Sequence, residues 1–395
     1  MSSESTNYHY IAPKYYNNVL NYKYSGGDNS ILYVYIMNPI YEWAINYFPT
    51  WLAPNVLTVS GFFLNLAYNL AIFYYSGFGF TTYLPSWVGY FTAVTYTVYI
   101  MLDYMDGKQA RRLKASSPMG MLIDHGTDAC TTFYITMGLG SLLFLEDMKS
   151  YAQLYVMVVS AFFFNTWEAY YIGELVLPMI NGVSEGTLLI ILICVLSSLY
   201  GPEFYAQKYD LLFLKNCQLK ELIALGGCAS GIFFGVISYI NVHLKRPSKD
   251  YLEINFNALI FALFLGAFYC VIYLSDSWIV KEWPKFLILT FGFLFAKIMG
   301  ILHLAQTIGG VFVWTKPVFL VPLLSILSFS LLDFWKIPVP FVTIDHVIIF
   351  FFFFNFFSWV HYVYYCSEEF CEILNINRFV LGKRYNDREV RKKIY

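Results

Sequence analysis

The chain has 395 residues, of which 58% are apolar and only 13% are charged. A soluble domain carries about 25% charged residues, so this composition excludes an ordinary cytosolic globule. The 25 Lys and Arg residues balance 26 Asp and Glu residues, which leaves no basic excess for binding nucleic acid. The seven cysteines include no CxxC pair, which argues against a zinc site or a disulfide framework.

The first 30 residues are polar and lack the apolar core of a cleaved signal peptide. We therefore expect the N-terminus to stay on the cytosolic side. Residues 31–48 mix apolar and polar side chains with a helical period and precede Pro49 and Pro54. This pattern predicts an amphipathic helix that lies in the membrane interface and does not span it.

Long apolar segments follow between Asn55 and Cys366, separated by short polar or Gly/Pro breaks. Segments of about 20 residues can cross a bilayer core of about 30 Å. The expected fold is an all-α, polytopic integral membrane protein with about ten transmembrane helices. The expected spans are 55–76, 85–107, 120–146, 151–173, 183–200, 218–243, 254–274, 284–306, 316–334 and 341–366. The segment 201–217 is expected to form a loop or a re-entrant segment.

The distribution of basic residues supports an even number of spans. With a cytosolic N-terminus, the cytosolic side receives Arg111 and the basic residues of 245–249 and 378–393. The opposite side keeps only Lys149, Lys208, Lys215, Lys281 and Lys336. Because cytosolic loops carry an excess of Lys and Arg, this asymmetry predicts that the Arg111 loop faces the cytosol.

Acidic residues interrupt the second and third predicted spans. Asp103 and Asp106 end the second span, and Asp124 and Asp128 follow Gly120 at intervals of four residues in the third. Inserting each ionised group costs roughly 2.5–3.5 kcal/mol, and no excess of Lys or Arg in these spans neutralises them. Carboxylates on two facing helices, without a cluster of His or Cys, predict a site for Mg²⁺ or Mn²⁺.

The residues beside these carboxylates suit a phosphate ligand. Gly107 and Ala110 leave the helix surface bare, and Arg111 offers a planar cation for phosphate oxygens. Hard cations held by carboxylates usually bind phosphate as well. Two other interpretations stay open at this point: an ion or proton path through the carboxylates, and plain helix packing for the small residues.

Together these residues form the pattern D-x-x-D-G-x-x-A-R-x8-G-x3-D-x3-D, which starts at Asp103. Eight specified positions coincide by chance at a given start on the order of 10⁻¹⁰ of the time. The pattern matches the signature of the CDP-alcohol phosphotransferases, and the chain resembles their eukaryotic choline/ethanolamine branch. The words that carry the closer resemblance are DGKQARR (106–112), SPMGMLIDHGTDA (117–129), PTWLAPNVLT (49–58), YKYSGGD (22–28) and WEAYYIGELVLP (167–178).

The resemblance is plain from about residue 14 to residue 190 and thinner in the final spans and at CEILNINRF (371–379). Met121 stands where relatives usually have Glu, but every ligand of the signature is present. The resemblance implies an enzyme that transfers phosphocholine or phosphoethanolamine from CDP-choline or CDP-ethanolamine to diacylglycerol and releases CMP. It also implies an endoplasmic reticulum or Golgi membrane, a site that faces the cytosol and no nucleic acid partner. The oligomeric state stays open, with a homodimer as one option.

The same resemblance implies roles for individual residues. Two Mg²⁺ or Mn²⁺ ions would have Asp103, Asp106 and Asp124 as primary ligands, and Asp128 as a further ligand or as the base. His125 follows Asp124 directly and competes with Asp128 for the base, because His is the commonest general base. We hypothesise that His125 is the base and that Asp128 is mainly a ligand.

Other residues are candidates for the rest of the substrate. Asn55 and Thr58 are expected at the cytosine edge, although Pro54 and Asn55 also favour a plain helix start. The remaining candidates for the CDP-alcohol are Gly107, Ala110, Arg111 and Gly120. The candidates for the headgroup cation are Trp167, Glu168, Tyr171 and Glu185, although aromatic residues near a membrane end are usually interface anchors. His303, Asp333 and Asp345 are expected to be packing or interfacial residues, and Lys297 has no identifiable partner.

The expected organisation has four parts: a cytosolic N-terminal segment with the interfacial helix (1–54), catalytic helices (55–215), additional transmembrane helices (216–366) and a cytosolic tail (367–395). One alternative function is a CDP-diacylglycerol-dependent phosphatidyltransferase, whose relatives usually have fewer spans. Another is a transporter or ion pathway that uses the intramembrane Asp residues, which leaves the eight-position pattern unexplained. A catalytically silent scaffold would need a lost ligand, and none is lost.

Overall fold

Helices dominate the computed structural model, which describes residues 9–23, 26–179, 181–211 and 214–384. They are α1 (Tyr16–Asn21), α2 (Asn38–Ala44), α3 (Pro54–Ser76), α4 (Ser86–Arg112), α5 (Pro118–Leu142), α6 (Met148–Ile172), α7 (Ser184–Tyr200), α8 (Leu219–Lys245), α9 (Tyr251–Leu274), α10 (Trp278–Glu282), α11 (Pro284–Ile308), α12 (Pro317–Phe334) and α13 (Ile344–Leu374). Ten of these helices in the described ranges have 17 residues or more, and each overlaps one of the ten predicted spans. The expected all-α class is confirmed.

Six helices in the described part of the chain are long and apolar enough to cross a membrane. They are α3, α8, α9 with the short turn before it, α11, α12 and α13. The predicted count of about ten spans exceeds this number. The carboxylates and polar side chains of α4 and α5 and the polar residues of α6 lower their hydropathy, and α7 has only 17 residues. The protein is a polytopic helical membrane protein with about six helices of this kind.

The central helix of the bundle is α11. Of its most apolar 18-residue stretch, 94% is buried inside the protein, where it packs against α5, α6 and α13. Two glycines permit this close approach. A Cβ at Gly292 would lie 2.5 Å from the Phe133 ring on α5, and a Cβ at Gly300 would lie 2.4 Å from the Tyr362 ring on α13. Side chains at these positions would therefore push the helices apart.

The predicted helix before α3 is present. It runs from Ile31 to Tyr47 and contains a π-helical turn at Tyr33–Met37, the helix α2 and a final 3₁₀ turn. Met37, Tyr41 and Ile45 recur every four residues and are buried. Large apolar side chains of the same helix are exposed, namely Val34, Tyr35, Ile36, Ile40, Trp43 and Tyr47. The predicted helix is confirmed, while its amphipathic character and its location in the membrane interface stay predictions.

Two pairs of short strands connect distant parts of the chain. β1 (Gly26–Asp28) pairs in parallel with β2 (Leu175–Leu177), so the N-terminal segment lies beside the connection between α6 and α7. The segment 201–217 forms a 3₁₀ turn and most of an antiparallel hairpin, β3 (Lys208–Leu211) with β4 (Leu214–Gln218). In the described residues this segment is a structured connection between α7 and α8, and the alternative of a re-entrant segment stays a prediction.

The last helix is longer than predicted. α13 continues eight residues past Cys366, from Ser367 to Leu374, and ends where Asn375 adopts a left-handed conformation with φ 54°. Three of the basic residues predicted for the cytosolic tail, Arg378, Lys383 and Arg384, are described. The others, Arg388, Arg391, Lys392 and Lys393, lie outside the described residues.

Candidate active site

A tight helical hairpin brings the two acidic pairs together. α4 ends at Arg112 and α5 begins at Pro118, after Ser117. The Ser117 hydroxyl accepts a hydrogen bond of 3.1 Å from the Gly120 amide, which caps the new helix. Asp124 and Asp128 then follow on successive turns of α5 and meet Asp103 of α4.

Three carboxylates form a compact cluster. One oxygen each from Asp103, Asp124 and Asp128 lies within 4.8 Å of the others. In the described part of the chain, Oδ1 of Asp103 and Oδ1 of Asp124 are buried without a hydrogen-bond partner. A buried anionic oxygen without a partner is costly, and a divalent cation satisfies several of them at once. The all-oxygen donor set therefore fits a hard cation.

Asp106 lies outside this cluster of three. Its Oδ2 accepts a short hydrogen bond from the Thr58 hydroxyl on α3. The sequence predicts Thr58 at the cytosine edge, but this hydroxyl is committed to a predicted metal ligand. Thr58 is therefore placed to orient a carboxylate, which is the usual task of a residue behind a metal ligand.

Asp128 has partners on both sides. Its Oδ1 accepts a hydrogen bond of 2.5 Å from the Tyr99 hydroxyl, and its Oδ2 lies 3.7 Å from Nδ1 of His125. Tyr99 precedes Asp103 by four residues, so both face α5 from the same side of α4. This i, i+4 spacing is the signal by which Tyr99 could have been found in the sequence.

Comparisons with known proteins give the family. The family model for CDP-alcohol phosphatidyltransferases matches residues 51–212. Choline/ethanolaminephosphotransferase 2 of Arabidopsis thaliana is 32% identical over 302 residues, which cover 72% of this chain and 75% of the plant protein. The chain belongs to the CDP-alcohol phosphatidyltransferase family. Ethanolaminephosphotransferase 1 of Homo sapiens is 35% identical over 234 residues, which cover 56% of this chain and 57% of the human protein.

Membership in this family makes the protein an enzyme, a CDP-alcohol phosphotransferase. An uncharacterized class-I member of the family from Dictyostelium discoideum is also similar, at 29% identity over 302 residues. The matched range 51–212 contains the whole pattern from Asp103 to Asp128. The family is generally dependent on divalent metal, in agreement with the carboxylate cluster.

The residues predicted for the CDP-alcohol lie around the ends of α3, α4 and α5. Nδ2 of Asn55 donates a hydrogen bond of 2.7 Å to the Arg378 carbonyl oxygen, and its Oδ1 lies 3.3 Å from where a Cβ on Gly120 would be. A Cβ on Gly107 would meet only the Arg111 guanidinium, at 3.4 Å, so this surface is open. Arg111 itself is exposed and forms no ion pair within the described ranges, and Ala110 is half-buried beside it.

The residues predicted for the headgroup divide into two places. Trp167 is fully buried, with its ring edge against Tyr171 at 5.2 Å. Tyr171 accepts a hydrogen bond of 2.6 Å from Asn257 on α9, and Glu168 accepts one of 3.3 Å from Asn241 on α8. These three residues of α6 therefore contact α8 and α9, and none of these contacts is with the carboxylate cluster.

Glu185, the fourth headgroup candidate, binds the N-terminal segment. Oε1 accepts hydrogen bonds from the Ser30 hydroxyl at 2.6 Å and the Leu32 amide at 3.3 Å, and Oε2 accepts one from the Asn181 amide at 2.9 Å. Asp28 lies in the same network, as described next, and sequence reasoning did not single it out. The sequence signal that could have pointed to Asp28 is its position at the end of the segment YKYSGGD (22–28), which carries part of the family resemblance.

Asp28 links the N-terminal segment to the site through Tyr104. Its Oδ2 accepts hydrogen bonds from the Tyr104 hydroxyl at 2.8 Å and from the Ser184 hydroxyl at 2.6 Å. Tyr104 directly follows Asp103, and its ring stacks on Tyr33 at 4.8 Å and on Tyr41 at 5.6 Å. Burial raises the pKa of Tyr41 to about 12, and the nearby Asp103 carboxylate adds to this rise, so the phenol stays neutral. The amphipathic helix thus covers the site next to Asp103.

The structure accounts for polar residues that the sequence left aside. Nζ of Lys297 donates a hydrogen bond of 2.7 Å to the Ser358 carbonyl and lies over the rings of Tyr10 and Tyr362, at 5.3 and 5.0 Å. Asp345 is buried and accepts a hydrogen bond of 2.5 Å from Ser277, as expected for a packing residue. His303 is buried, as expected for a packing residue, and its ring stacks on His125 with 4.6 Å between centroids.

Proposed function

We propose that this enzyme transfers phosphocholine or phosphoethanolamine from CDP-choline or CDP-ethanolamine to diacylglycerol and releases CMP. The observation that carries the proposal is the cluster of Asp103, Asp124 and Asp128 with two unpartnered buried oxygens, next to the exposed Arg111. The names of the plant and human relatives support choline and ethanolamine as the headgroups. The membrane helices support a lipid as the acceptor.

The reaction needs one bond to form and one to break at phosphorus. The diacylglycerol hydroxyl oxygen attacks the phosphorus that carries the headgroup, and the bond from this phosphorus to the oxygen shared with CMP breaks. Asp103, Asp106, Asp124 and Asp128 would hold two Mg²⁺ or Mn²⁺ ions, which neutralise charge on the phosphoryl oxygens when bound. Arg111 adds a fixed positive charge at the open surface beside Gly107 and Ala110.

The proton of the attacking hydroxyl needs an acceptor. His125 takes this role in our proposal, since its ring lies beside the cluster, with Nδ1 at 3.7 Å from Asp128. Asp128 then acts mainly as a ligand, held by the Tyr99 hydroxyl. His125→Ala should lower turnover by roughly 10²–10⁴ with metal and CDP-alcohol binding retained. Full activity of His125→Ala, or loss of metal binding with it, assigns the base to Asp128.

We also propose residues for the nucleotide and the headgroup, the extent of the catalytic part of the chain and its membrane location. Asn55, with its Oδ1 turned toward Gly120, is proposed to accept a hydrogen bond from the cytosine amino group. The catalytic helices span 55–215 in this proposal, with 216–366 as additional membrane helices. For the headgroup cation, the candidates stay Trp167, Glu168, Tyr171 and Glu185. We place the enzyme in the endoplasmic reticulum or Golgi, with its site facing the cytosol.

A direct assay tests the substrate assignment. The purified protein in lipid nanodiscs with diacylglycerol and Mg²⁺ receives radiolabelled CDP-choline and CDP-ethanolamine in parallel reactions. Formation of labelled phosphatidylcholine or phosphatidylethanolamine, with one CMP per lipid, is the expected result. A third reaction supplies CDP-diacylglycerol and inositol, and product from this reaction alone would overturn the proposal in favour of a phosphatidyltransferase.

A further inference from the structure

His303 lies in the most buried helix of the described chain, at a place where a polar side chain has little access to water. It is 2% exposed, and the apolar stretch of α11 around it is 94% buried. It lies inside α11, and its backbone carbonyl accepts a hydrogen bond of 2.7 Å from the Thr307 hydroxyl. If this side chain only filled space, Leu or Phe would fill it without the free-energy cost of burying two polar nitrogens.

The polar atoms of His303 are poorly satisfied. Nε2 lies 3.4 Å from the Thr166 hydroxyl on α6, the Gln306 side chain also interacts with the ring, and Nδ1 has no hydrogen bond of ordinary length among the described residues. A buried polar group without a partner costs about 1–3 kcal/mol. Such a cost in a native protein calls for an explanation beyond packing.

The ring of His303 makes its closest aromatic contact with His125 of α5. The two rings are nearly parallel, at 10°, with centroids 4.6 Å apart. The edge of the Phe162 ring supports His303 from another side, at 6.1 Å and 69°. One face of the His125 ring is therefore covered, which sets the plane in which this ring lies.

Setting the plane of the His125 ring leaves its nitrogens free to act. The N–H bond and the lone pair of an imidazole lie in the ring plane, so a partner stacked on the face does not block them. Nδ1 of His125 faces Asp128 at 3.7 Å. The close approach of Gly292 to the Phe133 ring shows that α11 packs tightly against α5, the helix that carries His125.

We propose that His303 is a positioning residue, which holds the His125 ring in the orientation needed to accept the proton of the lipid hydroxyl. The inference rests on the proposed role of His125 in the transfer reaction. His303 does not touch the substrate in this proposal and acts only through His125. Its contribution should therefore appear in turnover and disappear when His125 is absent.

The test compares three variants of the full-length enzyme in nanodiscs. His303→Leu removes the stacking ring and should lower kcat by about 10- to 100-fold, with KM for the CDP-alcohol nearly unchanged. His303→Phe keeps a ring on His125 and should recover most of the lost kcat. Thr166→Val, which removes only the neighbour of Nε2, is the matched control and should keep kcat close to that of the unmodified enzyme.

A double-mutant cycle separates this proposal from the proposed function. His303→Leu added to His125→Ala should cause no further loss of kcat, because the two residues act as one unit. A further loss as large as in the unmodified enzyme, or unchanged kcat in His303→Leu alone, would overturn the positioning role while the role of His125 stands. Full activity of His125→Ala alone would overturn the base assignment instead. Thermal unfolding of each variant identifies a loss of kcat that comes from unfolding, which would also overturn the positioning role.

Discussion

The hydroxyl of Tyr99 donates a hydrogen bond of 2.5 Å to Oδ1 of Asp128 and so joins α4 to α5 at the carboxylate cluster. Asp128 therefore keeps one oxygen on a protein donor, whereas Asp103 and Asp124 each have an oxygen without a partner in the described chain. The three carboxylates are thus unequal in their surroundings. Partners of this kind orient a metal ligand and tune its affinity.

Tyr99→Phe should weaken metal binding and activity by about 10- to 100-fold, because Asp128 loses the donor that orients it. The measurement is the concentration of Mn²⁺ or Mg²⁺ that gives half-maximal turnover. Tyr155→Phe is the matched control, since the Tyr155 hydroxyl is also buried but has no hydrogen-bond partner in the described residues. Equal metal dependence in Tyr99→Phe and the unmodified enzyme would contradict the prediction.

Asp103→Asn and Asp124→Asn should each lower turnover by about 10²-fold or more, because each removes a charge that a metal needs. EDTA should abolish activity in the unmodified enzyme, and added Mg²⁺ or Mn²⁺ should restore it. Glu282→Gln removes an exposed carboxylate from α10 and should leave turnover unchanged. Activity that survives EDTA would rule out the metal site.

Arg111→Ala and Arg112→Ala should have different effects, although the two residues are neighbours. Arg111 is exposed and forms no ion pair in the described chain, so it is free to bind a phosphate of the CDP-alcohol. Its loss should raise KM for the CDP-alcohol about tenfold, because one charge-assisted hydrogen bond contributes about that much to affinity. The Arg112 guanidinium donates to the carbonyl oxygens of Ile45 and Phe48, at 2.8 and 2.9 Å. Its loss should therefore lower the unfolding temperature and leave KM nearly unchanged. The same KM in Arg111→Ala as in the unmodified enzyme would remove Arg111 from the site.

The sidedness of the site can be tested with two cysteine variants. At the start of α7, the Ser184 hydroxyl donates a hydrogen bond to Asp28, near the end of α4 that carries Arg111. The other end of α7 packs against the start of α4, where a Cβ at Gly89 would lie 2.2 Å from the Ser198 hydroxyl. The hairpin of β3 and β4 after α7 is therefore at the opposite end of the bundle from Arg111. In sealed microsomes, a membrane-impermeant thiol reagent should label Lys114→Cys and should label Asp210→Cys only after permeabilisation. The reverse pattern would show an inverted topology.

Much of the fold was predictable because helices that pack in a membrane depend on local sequence. Apolar length and short polar breaks located ten long helices, and the four-residue period of Met37, Tyr41 and Ile45 located the amphipathic helix. The predicted count of about ten spans rested mainly on the length of the apolar segments, and six of the ten long helices in the described residues are apolar enough to cross a membrane. The count of six also depends on polar content, since α4 and α5 carry Asp103, Asp106, Asp124 and Asp128 and are therefore less apolar.

The sequence by itself determined the family and the carboxylates, because the spacing of Asp103, Asp106, Asp124 and Asp128 follows from the helical repeat within two adjacent helices. Only the tertiary structure decided which residues surround them. Asp106 accepts a hydrogen bond from the Thr58 hydroxyl of α3, and the ring of His303, about 180 positions later in the chain, stacks on His125. No local period links residues so far apart, since their contact depends on how α11 packs against α5, where Gly292 admits the Phe133 ring.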